Sequence, residues 1–373
     1  MTWYSYQNYG TALQAVALNR AIRGLGNEAY DLQYDPVPFQ ARKSNKHRSL
    51  FKRATAKIDY MRGCCPIKDS SRDKAFNAFL EQNLPLSNEI ISCGNAASVS
   101  NSYDAFVCGS DQVWSPRCFD PLYYLDFVSE PEKKIAYAPS FGCDEIEPYP
   151  ESLQIKSLVS RFGSISVREQ SGADIVESIT GKRPPIVVDP TMLLTAAEWD
   201  RMAKPSYKPS RPYCLFYFLG SYSKNYAAAV NIAKDRGFEI LELPVFAYQL
   251  EDSRCAGPEV GPGEFIDLIR NASLICTDSF HGMVFATIYN LPFVAFERFD
   301  SQRLDSQNTR VYNFLNMTNQ SGALLRRKDL PKWGKCSQIH IDKQEVSSLL
   351  DEARNSSIDY LSNALRRATG GGC

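Results

Sequence analysis

Between residues 272 and 296 the chain reads as one unit: an apolar strand (Ala272 to Thr277), the turn Asp278-Ser279-Phe280-His281-Gly282, a helix to Asn290, Pro292, and a second apolar strand, Phe293 to Phe296. Apolar runs too short to be helices, separated by one helix, form parallel strands joined by a crossover. The same alternation runs through most of the chain. Strands are predicted at 104–108, 134–138, 164–168, 186–189, 213–219 and 239–243, with helices at 11–23, 224–236, 263–270 and 344–367. Hardly any strand precedes the turn at Tyr6 to Gly10, so the first strand is very short or the reading frame begins late. A Pro-rich stretch at 205–212, following Pro190, breaks the pattern. The expectation is an α/β protein of two doubly wound, Rossmann-like domains facing a crevice, a GT-B-like arrangement. The N-terminal domain covers 1–195 and the C-terminal domain 205–340, followed by a helix at 344–367 and a flexible tail at 368–373. At 373 residues, two cores are natural.

Lys plus Arg and Asp plus Glu both number 42, so the formal charge is zero and a nucleic-acid partner is not expected. No apolar run approaches the ~18 residues of a spanning helix, and the N-terminus lacks the pattern of a signal peptide. The expected location is the cytoplasm. The 11 cysteines are scattered without C-x-x-C spacing, and with His47, His281 and His340 as the histidines, no zinc site is expected. Cys108, Cys214 and Cys276 sit in apolar runs as buried thiols do. The segment 42–62 holds eight Lys or Arg against one acid, Asp59, interleaved with Leu50, Phe51, Ile58 and Tyr60. It reads as a solvated basic face, or as a peripheral contact with an anionic membrane surface or a lipid diphosphate.

Candidate site residues gather where strands end. The turn 278–282 leaves a strand and opens a helix, so Ser279, Phe280 and Gly282 present N–H groups where the helix dipole favours an anion. Ser279 also suits a cap, and His281 lies in the first turn. A helix N-terminus disfavours imidazolium, whereas a bound multiply charged anion favours it, so an acid there suits an anionic substrate. Arg168 and Arg298 end strands in equivalent places and offer guanidinium forks to carboxylate or phosphate; a structural ion pair is the competing role. Ser110 and Asp111 form the turn after the 104–108 strand, where Asp111 is placed to orient a sugar hydroxyl, to accept its proton or to cap a helix. Asn8, Tyr9 and Gly10 precede the first helix and could line the same crevice.

Several segments together resemble the polysaccharide pyruvyl transferase family: Asn8-Tyr9-Gly10 with Ala12 to Ala15, Tyr103 to Trp114, Ile165 to Glu169 with Ser171-Gly172, Val188 to Thr191, Thr277 to Gly282, and Pro292-Phe293 with Phe296. The likeness runs from about residue 3 to about residue 330. It implies an enzyme that takes phosphoenolpyruvate and installs pyruvate on a sugar of a bacterial surface polysaccharide, commonly as a 4,6-ketal on galactose or a related hexose. For that chemistry His281 is the best candidate acid, and Arg168 and Arg298 compete as clamps on the donor's carboxylate and phosphate, beside the N–H groups at 279–282. No cofactor or metal is implied beyond the donor itself. Some members carry an arginine two residues before the family's histidine; here that position is Ser279, so another residue must meet part of the donor's charge. A glycosyltransferase using a nucleotide sugar and a non-catalytic polysaccharide-assembly protein remain the alternatives.

Overall fold

The computed structural model describes residues 1–34, 67, 69–92, 95–220, 223–299, 308–330 and 342–370. The basic run 42–62 and residues 371–373 of the tail lie outside them.

The amino group of Met1 donates to the carbonyl of Val107 at 2.6 Å, and the N–H of Gly109 donates to the Met1 carbonyl at 3.2 Å. The first residues therefore run along the strand that leads to Ser110 and Asp111. Helix α1 (Tyr9–Gly24) starts where the Asn8 side chain accepts the Thr11 N–H at 3.2 Å, and it stops at Leu25 and Gly26, the latter at φ +85°. Most of α1 is buried, because its Ala, Leu and Val side chains leave little polar face. Strand β1 (Asp31–Tyr34), helix α2 (Ser70–Asn83) and strand β2 (Leu86–Ile91) make a parallel pair with its crossover helix. The sequence pattern passes over them because both strands are half-polar and α2 carries few apolar residues.

After the short helix α3 (Ala96–Val99), strands β3 (Phe106–Cys108), β4 (Lys134–Ala136) and β5 (Ser164–Ile165) form a parallel sheet in chain order, with helices α4 (Ser152–Val159) and α5 (Gln170–Thr180). The strand expected at 164–168 pairs only over its first two residues. The one expected at 186–189 contributes a single bridge, Ile186 to Val167. Pro190 cannot continue a ladder. Asp189 instead caps a 3₁₀ turn, Pro190–Leu193, which α6 (Ala196–Asp200) follows.

The second sheet holds β6 (Tyr213–Tyr217), β7 (Glu239–Glu242), β8 (Leu274–Thr277), β9 (Phe293–Phe296) and β10 (Leu324–Leu325), with helices α7 (Ser223–Asp235), α8 (Pro262–Arg270), α9 (Phe280–Ile288) and α10 (Thr309–Met317) between them. Its order is β10-β9-β8-β6-β7, all parallel. The chain thus begins at β6 inside the sheet, winds to one edge, returns, and winds to the other. Strands β6, β8 and β9 are buried along their whole length, which is why they read as continuous apolar runs. The winding reverses between β6 and β8, and ligands of open α/β sheets bind outside the strand ends at such a point. Cys108, Cys214 and Cys276 are buried free thiols.

Helix α11 (Lys343–Ala368) crosses back to the first sheet. Its Ser357 hydroxyl accepts the Val188 N–H at 3.0 Å, Arg354 Nε donates to the Met192 carbonyl at 2.7 Å, and the Tyr360 hydroxyl donates to the Ala136 carbonyl at 3.1 Å. One apolar cluster joins both halves, taking Leu13 and Val16 from α1, Tyr137, Trp199, Phe265, Phe285 and Leu361. Each large apolar side chain buried there contributes about 1.5–3 kcal/mol. The crevice between the sheets is therefore braced on a shared core.

Candidate active site

Three helices begin around one point: α1 at Asn8, α5 at Glu169 and α9 at Ser279. Their N-termini add positive potential there. The anchor on the second sheet is Asp278, whose carboxylate accepts the N–H groups of Leu219 at 2.7 Å and Gly220 at 2.9 Å across the reversal between β6 and β8. Ser279 caps α9 by accepting the Gly282 N–H at 3.4 Å. Gly282 serves packing: a Cβ there would stand 2.5 Å from the Thr277 hydroxyl, so glycine lets α9 lie tight against β8.

His281 projects from this turn between the two halves. Its Nε2 lies 3.5 Å from Asp189 Oδ2, without hydrogen-bond alignment, and its Nδ1 stands against Gly10. The same Asp189 oxygen accepts from Arg168 Nη1 at 2.8 Å, and the other oxygen accepts from the Thr191 N–H at 3.0 Å and hydroxyl at 2.7 Å. Burial alone would raise the Asp189 carboxyl; His281, Arg168 and the Thr191 hydroxyl together hold it well below the usual carboxylate range. Burial likewise works against the charge of Arg168, but Asp189, Glu169 and Asp111 outweigh it and keep its pKa above the ordinary value.

The guanidinium of Arg168 lies 5.0 Å from the centroid of the Phe280 ring, and that of Arg310 lies 5.8 Å from it. Arg298 follows β9 and braces the turn, its Nη2 donating to the Asp278 carbonyl at 2.8 Å and its Nε 3.7 Å from Asp278 Oδ1. Burial raises the Asp278 carboxyl, against Arg298 and the two backbone donors. Arg168 Nη2, Arg298 Nε, Arg310 Nε and His281 Nε2 are all buried with no hydrogen-bond partner among the described residues. Such an array of unsatisfied nitrogens, three of them on guanidinium groups, suits a multiply charged anion. A small open cleft lies along Asp278, Glu297, Arg298, Asn308 and Arg310. A second lies along Ser140, Asp144, Glu169, Ser171 and Arg310. Among the described residues, no group of three or more His, Cys, Asp or Glu side chains is placed to hold a metal ion.

The sequence model of the family described as polysaccharide pyruvyl transferase matches residues 8–301 of the chain. The chain belongs to the polysaccharide pyruvyl transferase family. No curated protein shows a significant match. Among matching solved structures is MurG of Acinetobacter baumannii, with 11% identity and a TM-score of 0.37, the alignment covering 83% of this chain and 93% of that one. So loose a likeness places no residue.

Within this pyruvyl transferase fold, the residues singled out by sequence take up different duties. His281, Phe280, Arg168 and Arg298 meet around the donors just described. Gly10 lies against the imidazole. Asp111 follows the cis peptide Gly109–Ser110, adopts φ +63°, and accepts the Thr11 hydroxyl at 2.8 Å, which ties the turn after β3 to the start of α1. Ser110 is held as an anchor: its hydroxyl donates to the Ala138 carbonyl at 3.0 Å and its N–H to Gln14 Oε1 at 3.1 Å. Asn8 caps α1. Tyr9 is buried, its ring stacked 4.7 Å from Phe265 and its hydroxyl donating to the Val260 carbonyl at 2.8 Å.

Sequence reasoning passed over Asp189 and Arg310. Asp189 was visible as an acid at the end of an apolar run before Pro190. Arg310 carries no such signal, because it opens a helix beyond the last long strand and reaches the site only through the fold. Among the described residues no helix is long and apolar enough to cross a membrane.

Proposed function

We propose that this family member uses phosphoenolpyruvate as donor and forms a cyclic ketal of pyruvate across a hydroxyl pair of a hexose, the 4,6 pair of galactose or a related sugar, in a bacterial capsule or exopolysaccharide. The observation that supports this reading most directly is the set of buried guanidinium nitrogens, on Arg168, Arg298 and Arg310, that have no hydrogen-bond partner among the described residues. A donor carrying both a carboxylate and a phosphate satisfies several such forks at once.

The chemistry then runs as follows. Protonated His281 delivers its proton to the methylene carbon of phosphoenolpyruvate, leaving a cationic C2. One sugar hydroxyl attacks C2 and its proton passes to a base, for which Asp111 is available, or back to His281. The C2–O bond to phosphate breaks, inorganic phosphate leaves, and the second hydroxyl closes the ring. Of the two hydroxyl protons, one has replaced that spent on the new methyl group and the other leaves with phosphate, so protons balance. Arg168 and Arg298 hold the donor's anionic groups while charge shifts from the enol ether to phosphate.

Incubation with phosphoenolpyruvate and an aryl galactoside, followed by mass spectrometry, tests this reading. A ketal product with release of phosphate is expected; transfer from a UDP-sugar with none from phosphoenolpyruvate would move the chain to a glycosyltransferase role. If the natural acceptor sits on a lipid diphosphate, the basic run 42–62 would serve peripheral contact at the inner face of the cell membrane. Binding to anionic vesicles should then fall as salt rises past physiological strength.

A further inference from the structure

We propose that Arg310 is a third cation of the donor site, binding the phosphate group together with Arg168 and Arg298. The inference rests on the donor reading above. Arg310 stands in the first turn of α10, and its Nε is buried with no hydrogen-bond partner among the described residues. Its guanidinium shares the Phe280 ring with Arg168, at 5.8 Å and 5.0 Å from the centroid. It also lines both clefts.

The electrostatics separate this role from packing. Arg168 has the Asp189 carboxylate at 2.8 Å and Arg298 has that of Asp278 at 3.7 Å. For Arg310, no carboxylate is recorded within ion-pair distance among the described residues. Burial and the like charges of Arg168 and Arg298 push its pKa down to about 9, against the weaker pull of Asp111 and Glu169. It is still charged at neutral pH. Stacking on Phe280 accounts for the position of the guanidinium but leaves its half-buried charge without a carboxylate and beside two like charges, which destabilises the empty protein. A dianionic phosphate bound beside it removes that repulsion.

Arg310→Gln and Arg310→Met distinguish a binding role from a structural one. Thermal denaturation is followed without ligand, with inorganic phosphate and with phosphoenolpyruvate, alongside KM for donor and acceptor. The expected result is a higher melting temperature without ligand, loss of the upward shift with phosphate, and a rise of roughly 10- to 100-fold in donor KM. Acceptor KM should change little, and Arg310→Lys should restore part of the phosphate shift. A lower melting temperature in both variants, with the phosphate and phosphoenolpyruvate shifts intact, overturns the proposal and makes Arg310 structural. A wild-type protein that neither probe stabilises overturns the donor reading itself, and this site with it. A wild type stabilised by both, with an equally stabilised Arg310→Gln variant, overturns the role of Arg310 alone.

Discussion

Gly10 and His281 stand so close that a Cβ on residue 10 would lie 1.9 Å from the imidazole Nδ1. No rotation of a methyl group relieves that contact, so the ring can keep its place near Asp189 only beside glycine. Gly10→Ala should cut turnover by about 100-fold, the order of loss that follows a displacement of about 1 Å. Helix α1 itself should not suffer, since alanine is the better helix former by up to about 1 kcal/mol. Turnover numbers and a circular-dichroism melt check both halves of the expectation; full turnover would show that the imidazole can sit elsewhere.

Asp189 holds Arg168 and stands at ion-pair distance from His281 with one oxygen. Asp189→Asn should cost about 3–5 kcal/mol at pH 7, because it leaves a buried guanidinium short of its partner. The folded carboxyl has a depressed pKa, so its contribution is present above the ordinary carboxylate value and fades as pH falls below it. The gap between wild type and variant should therefore narrow below about pH 4. A gap that stays constant from pH 7 to pH 3 would rule out the ionised carboxylate as its source.

His281→Gln should lower kcat by about 10²–10⁴-fold. The shift in melting temperature caused by phosphoenolpyruvate should survive, because the guanidinium groups are untouched. Arg168→Lys should act the other way, raising donor KM more than it lowers kcat, since a point charge cannot replace a fork. Steady-state kinetics on the two variants in parallel tell the roles apart; a pure fall in stability in either would assign that residue to packing.

Lys134 is fully buried at the start of β4, its ammonium 5.8 Å from the Phe162 ring and without a hydrogen-bond partner among the described residues. Burial, with Arg161 adding to it, pushes its pKa down to about 8. Between about 8 and the ordinary 10.5, the unfolded chain binds the proton more readily, so stability rises with pH across that window. Lys134→Met should stabilise the protein by about 1–3 kcal/mol at pH 7, with the gain shrinking as pH approaches 10. Chemical denaturation at several pH values measures it, and a destabilised variant at pH 7 would show that the ammonium has a favourable partner.

The amino-acid sequence alone determined the α/β class, strands β6 to β9 of the second sheet and the turn that carries His281. Strands β6, β8 and β9 are buried on both faces, so their apolar runs are visible without knowing their neighbours. Helix α9 opens on a local cap, Ser279, that depends only on adjacent backbone. The first half was less legible, because β1, β2 and β5 are short and partly polar and draw their stability from partners distant in the chain. Local pattern identified Arg168 and His281 as candidates but not what joins them. That required Asp189, which ends the apolar run 186–188 but shows its partners, Arg168 and His281, only in the folded chain. The tertiary structure alone decided that Gly10 must be bare, that Gly282 packs α9 on β8, that Tyr9 and Ser110 are tied into the scaffold, and that Arg310 reaches Phe280 from a helix opened beyond β9. The physical reason is common to all of these. Close contacts and unbalanced charges are properties of residues brought together by the fold, and no local periodicity records which distant side chain will share a buried ring or a carboxylate.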